Sequence, residues 1–174
     1  EIFTSKWFFD EKNIGTKIKS PIELMVGIQK ILPITIENPK TLIIYQKLLG
    51  QMLLNPPNVA GWPSGKAWID SSTLMLRLKT PQIWSGIISL DYAPKDDDDQ
   101  NMGMMQKMLP KNLQGNFKID WESVSKNLKN ENLEDILLQS KKSIPENVIN
   151  EFEIADEFKS RVIALMSTPE YQLC

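Results

Sequence analysis

The sequence predicts an all-α protein, an irregular bundle of about six to eight helices around one long ordered loop rich in proline, glycine and tryptophan. Three observations carry this expectation. Apolar residues recur at helical spacing in several segments, and each segment is bounded by capping residues or prolines. No convincing alternating strand interrupts them, since Ile34 to Ile36 is too short. The stretch Pro56 to Ser72, PPNVAGWPSGKAWIDSS, fits neither period, and it holds three of the 11 prolines, two of the 8 glycines and two of the 5 tryptophans.

The chain opens on a short apolar segment (Ile2, Phe3, Trp7, Phe8, Phe9) that reads like the tail of a longer helix, and it begins at Glu1 rather than Met. The expectation is a fragment of a larger protein. Ser20-Pro21-Ile22-Glu23 then supplies a capping box with proline in the first turn. Leu24, Met25, Ile28, Ile31 and Leu32 follow at helical spacing, Gly27 offers room for a close neighbour, and Pro33 ends the run. Asn38-Pro39 repeats the start signal. The stripe Leu42, Tyr45, Leu48, Leu49 and Met52 predicts a second helix reaching about Leu54, where Pro56 and Pro57 stop it and open the loop. Asp70 or Ser71 caps the next helix, with Leu74 and Leu78 on one face. A short continuation past Pro81 would carry Trp84, Ile87 and Ile88.

Residues 91 to 119 lose the pattern, with Pro94, the acid run Asp96 to Asp99, the methionines Met102, Met104, Met105 and Met108, and Gly115. A loop or partly disordered insertion is expected there. Helical punctuation returns in short pieces. Asp120 precedes Trp121, Val124 and Leu128; Asn132 precedes Leu133, Ile136 and Leu137; a second Ser-x-x-Glu box spans Ser143 to Glu146. A last helix puts Ala155, Phe158, Val162, Leu165 and Met166 on one face before Ser167-Thr168-Pro169-Glu170 closes it. Residues 1–174 are expected to form a single helical domain.

Composition narrows the chemistry more than it identifies it. The content is 41% hydrophobic and 24% charged, within the globular range. A net charge of -2 gives no electrostatic reason to bind nucleic acid or an anionic membrane. There is no histidine, which removes the commonest general base, the commonest zinc ligand and every Ser-His or Cys-His nucleophile pair from this chain. The single cysteine, Cys174, cannot form an internal disulfide. No apolar run reaches the roughly 18 residues of a membrane span, and the start does not resemble a signal peptide.

The loop is the candidate site. Its prolines stiffen it, and Trp62 and Trp68 are expected to pin it onto the helices. The alternative is a binding surface, in which a tryptophan offers a flat face to a sugar ring or a peptide while Asn58, Lys66 and Asp70 supply polar contacts. Asp70, Ser71 and Ser72 read first as a helix cap. Arg77, about two turns on, would support the loop from below, preferably through a structural ion pair.

Other candidates fail on their own pattern. Asp97, Asp99 and Asn101 are spaced like the first ligands of an EF-hand loop, but Met102 and Met108 stand where a glycine and a bidentate glutamate are required. The methionine cluster suits core filling or a flexible loop better than copper(I) or an adaptable partner surface. Glu151 with Glu153, and Asp156 with Glu157, point apart on a helix and read as an exposed face. No metal and no cofactor is expected.

Three stretches in order, KSPIELMVG (Lys19 to Gly27), GQMLLNPPNVAGWPSGKAWIDSSTLMLR (Gly50 to Arg77) and STPEYQLC (Ser167 to Cys174), resemble the C-terminal part of the large bacterial proteins of the domain of unknown function 1800 family. The resemblance implies no reaction, because that family has none established. It does imply a partner and a setting. Members are often encoded beside a protein of the domain of unknown function 1501 family, which resembles phosphatase-like or sulfatase-like hydrolases and commonly bears a twin-arginine export signal. A protein partner and a periplasmic or exported location follow as expectations. The function expected is a non-catalytic interaction or accessory module. The rival is a carboxylate-dependent hydrolase acting on carbohydrate or another extracellular polymer, with Asp70 as acid and Trp62 or Trp68 as stacking platform.

Overall fold

The computed structural model describes residues 1–88, 117–128, 132–138 and 157–174. The acid run, the methionine cluster, the Ser143 box, Glu151, Glu153, Asp156 and Ala155 lie outside the described residues. The chain is mostly helical, with six α-helices among the described residues: α1 (Pro21–Ile31), α2 (Lys40–Leu48), α3 (Ser71–Trp84), α4 (Trp121–Leu128), α5 (Leu133–Leu137) and α6 (Glu157–Met166). It is not purely so. Two short strands, β1 (Ile34–Ile36) and β2 (Phe117–Ile119), pair antiparallel in the register Ile34 with Ile119, Thr35 with Lys118 and Ile36 with Phe117. The Asp120 amide extends the ladder to the Pro33 carbonyl at 3.0 Å. Ile34 to Ile36 is therefore a strand despite its length, because a partner distant in sequence satisfies its backbone. Phe117 to Ile119, at the end of the expected insertion, is that partner.

The opening segment differs from the expected helix tail. Residues Ile2–Thr4 and Glu11–Asn13 are single 3-10 turns, and Phe3, Trp7 and Phe9 are exposed. Helix α1 follows the sequence expectation closely. The Ser20 hydroxyl accepts from the Glu23 amide, the Glu23 carboxylate accepts from the Ser20 amide, and Pro21 occupies the first turn. Leu24, Met25 and Ile28 are its buried apolar face. A Cβ at Gly27 would meet the Tyr171 hydroxyl at 3.6 Å, an ordinary contact, so this approach does not require glycine.

Helix α2 stops at Leu48, short of the expected Leu54. Gly50 takes φ +84°, its amide reaches the Lys47 carbonyl, and the Gln51 amide reaches the Gln46 carbonyl. This is a Schellman closure, and it turns the chain before Met52 can join the apolar stripe. Helix α3 ends the same way at Gly86, φ +78°, with the Ile87 amide on the Gln82 carbonyl. It runs through Pro81 as far as Trp84, leaving Ile87 and Ile88 beyond its end. Its buried face is Arg77, Thr80, Pro81, Ile83 and Trp84, not the expected Leu74 and Leu78, which are half-buried.

The apolar core joins α1, α2, the end of α3, β2 and the later helices. Trp84 stacks on Phe117 with ring centroids 4.7 Å apart, and Tyr45 meets Trp84 edge-on at 5.4 Å. Asp120 caps α4 by accepting from the Ser123 amide at 3.1 Å, and Asn132 caps α5 by accepting from the Glu134 amide. Helix α6 buries Val162, Ile163, Ala164, Leu165 and Met166 against α3 and α5. The segment after it folds back along Lys17 to Lys19, with an isolated antiparallel bridge between Ile18 and Leu173.

Candidate functional site

The loop from Pro56 to Asp70 is built from local turns. Asn58 folds its side chain back to accept from the Ala60 amide at 2.8 Å, and its carbonyl accepts from the Gly61 amide at 3.1 Å. Residues Gly65–Trp68 form a 3-10 turn in which the Ile69 amide reaches the Lys66 carbonyl at 3.0 Å. Trp68 is 6% exposed, which anchors the turn, while Trp62 is half-buried. The Thr73 hydroxyl bonds the Trp68 carbonyl at 3.2 Å, tying the loop to the first turn of α3.

An open cleft of about 380 Å³ lies beside this turn, lined by Trp62, Pro63, Ser64, Gly65 and Trp68 of the loop and by Lys17, Ile18, Ser20, Glu23 and Gln51. Four of the polar wall residues, Lys17, Ser20, Glu23 and Gln51, are held by hydrogen bonds. Gln51 accepts from the Ile22 amide at 3.0 Å, which fixes the residue just beyond α2 against the start of α1. Glu23 accepts from the Ser20 amide at 2.7 Å and pairs with the Lys17 ammonium. The Lys17 contact, then the Ser20 amide, keep the Glu23 carboxyl below its usual range. The Trp62 indole nitrogen is buried and has no hydrogen-bond partner among the described residues.

The structure brings two of the six candidate residues together. Trp62 and Trp68 share the cleft; Asn58, Lys66, Asp70 and Arg77 stand outside its lining. Asp70 is the cap of α3, accepting from the Ser72 amide at 2.8 Å and the Thr73 amide at 2.9 Å. Those contacts, the Thr73 amide first, hold its carboxyl below the usual range. Lys66 is exposed on the 3-10 turn.

Among the described residues, Arg77 meets neutral acceptors in place of the expected ion pair. It is fully buried, and its partners are neutral oxygens: Nε donates to Gln172 Oε1 at 3.0 Å and Nη2 donates to the Lys19 carbonyl. Nη1 has no partner among the described residues. Burial pushes the guanidinium pKa down to about 10, so it remains charged at neutral pH.

Gln51, Lys17, Glu23 and Ser64 were not picked out as site residues. Ser20 and Glu23 carried a readable signal as a capping box, but nothing local says that the box faces a loop over thirty residues downstream. Gln51, directly after the helix-ending Gly50, carried a weaker one.

The family model described as "Protein of unknown function (DUF1800)" matches residues 1–173, and the chain belongs to that family. Comparisons with curated proteins and with solved structures found no match. No helix among the described residues is long and apolar enough to cross a membrane.

Proposed function

We propose that this member of the DUF1800 family is a non-catalytic recognition domain, an accessory module of a longer exported bacterial protein, and that the cleft beside Trp62 and Trp68 receives a segment of a protein partner. One observation carries the reading. Glu23, the one carboxylate among the residues lining the cleft, is already engaged by Lys17 and by the Ser20 amide and is held ionised. A general acid needs a pKa near the working pH and a free approach to its substrate. A cleft with two indoles, a proline and a polar rim held at Lys17, Ser20, Glu23 and Gln51 suits contact without turnover. The hydrolase alternative relied on Asp70 as acid, and the capping contacts of Asp70 weigh against that assignment.

The partner we put forward is the hydrolase-like protein of the domain of unknown function 1501 family that the family resemblance suggests. Purified partner would be titrated against this chain by calorimetry. Trp62→Ala is expected to weaken binding about tenfold or more while circular dichroism stays unchanged, in line with an aromatic anchor at an interface. Equal binding by wild type and Trp62→Ala, or turnover of any substrate in a broad hydrolase screen, would defeat the proposal.

A further inference from the structure

The inner wall of the cleft comes from the segment Lys17 to Ser20, and that segment is held from behind by residues 171 to 174. The Lys19 amide donates to the Gln172 carbonyl at 2.8 Å; the Lys17 amide donates to the Cys174 carbonyl at 3.1 Å; the Cys174 amide returns to the Lys17 carbonyl at 2.8 Å. The Lys19 ammonium donates to the Tyr171 carbonyl at 2.6 Å and stands 3.9 Å from the centre of the Tyr171 ring. Arg77 crosses this pair from α3, with one nitrogen on the Gln172 side chain and another on the Lys19 carbonyl.

Two features set Arg77 apart from an ordinary core residue. A buried cation is unfavourable without a counter-charge, and no carboxylate bonds this one among the described residues. An apolar side chain of similar volume would fill the same space at less cost. What an apolar residue lacks is a rigid planar fork with donors pointing in two directions, which can hold two acceptors from different segments at a fixed separation.

We infer that Arg77 is the positioning residue of the cleft: by fixing the Lys19 carbonyl against the Gln172 side chain it sets where Lys17, Ile18 and Ser20 stand relative to Trp62 and Trp68. The functional meaning rests on the binding reading above, whereas the clasp itself can be tested without any partner. Lysine at position 77 keeps the charge and reaches one acceptor. Gln172→Ala leaves the arginine and removes the other. Gln172→Glu supplies the missing carboxylate and tightens the clasp.

The test is amide hydrogen exchange on the whole chain. In Arg77→Lys and in Gln172→Ala, the amides of Lys17, Lys19 and Cys174 are expected to exchange about tenfold or more faster, while interior amides of α1 and α6 stay within about twofold. Gln172→Glu is expected to slow the same three amides. Wild-type exchange at those amides in a folded Arg77→Lys protein would overturn the inference. So would an increase spread evenly over α1 and α6, since Arg77 would then act on global stability alone. If Arg77→Lys does not fold, Gln172→Ala decides by the same criteria. Partner titration of the same variants is the separate arm: absence of wild-type binding there counts against the recognition proposal and leaves the exchange result standing.

Discussion

The Glu23 amide donates to the Ser20 hydroxyl at 3.3 Å, and the Glu23 carboxylate accepts from the Ser20 amide at 2.7 Å. The two residues close the start of α1 on each other and together form part of the cleft wall. Ser20→Ala removes the hydroxyl acceptor and leaves an amide of the first turn without it. A loss of about 1 kcal/mol is expected in urea unfolding, read as a lower midpoint at unchanged slope.

Acid sensitivity follows from Asp70. Its carboxyl is held below the ordinary range by the Thr73 and Ser72 contacts, so its contribution is complete above the unfolded value of about 3.9. That contribution is lost as pH falls through the lower folded value. Asn at this position also caps but does not titrate. Asp70→Asn should therefore lose less stability than wild type between neutral pH and the acid range, measured by urea unfolding at a series of pH values.

Trp84 is fully buried between Tyr45 and the face of Phe117. Trp84→Ala is expected to cost about 3–5 kcal/mol through lost burial and a residual cavity. Trp62→Ala, at a half-buried site, should cost much less, and equal losses for the two in chemical denaturation would contradict this ranking.

Two glycines should respond with opposite sign. Gly50 has open space around it but sits at φ +84°, and alanine there is expected to destabilise by about 1–2 kcal/mol. Gly27 lies inside α1 and would gain an ordinary contact with Tyr171, so Gly27→Ala is expected to stabilise by about 0.5–1 kcal/mol. Thermal melts of both variants provide the check.

Helix starts were legible because they are local: Ser20 with Glu23, Asp70, Asp120 and Asn132 each satisfy amides within three residues. The end of α2 was also local, but the apolar stripe running on to Met52 concealed the stop at Gly50. Strand β1 could not be read from its own three residues, since its hydrogen bonds go to β2 across the long intervening segment. The inward face of α3 was misread for a related reason. An arginine and a threonine look solvent-facing until the acceptors from Gln172 and Lys19 are known. Trp68 was legible as an anchor of the loop, but the cleft residues outside the loop come from two separate segments, Lys17 to Glu23 and Gln51.

The bridge between Ile18 and Leu173 also bears on synthesis. A ribosome releases Lys17 to Ser20 and α3 long before Gln172, so Arg77 must wait in a solvated state for its acceptor while the middle of the chain is made. A nascent chain interrupted ahead of Gln172 could form α1 and α3 from their own caps, yet it would lack the clasp. Such a product would present an unclosed segment and an unsheathed arginine to proteolysis until these distant stretches join.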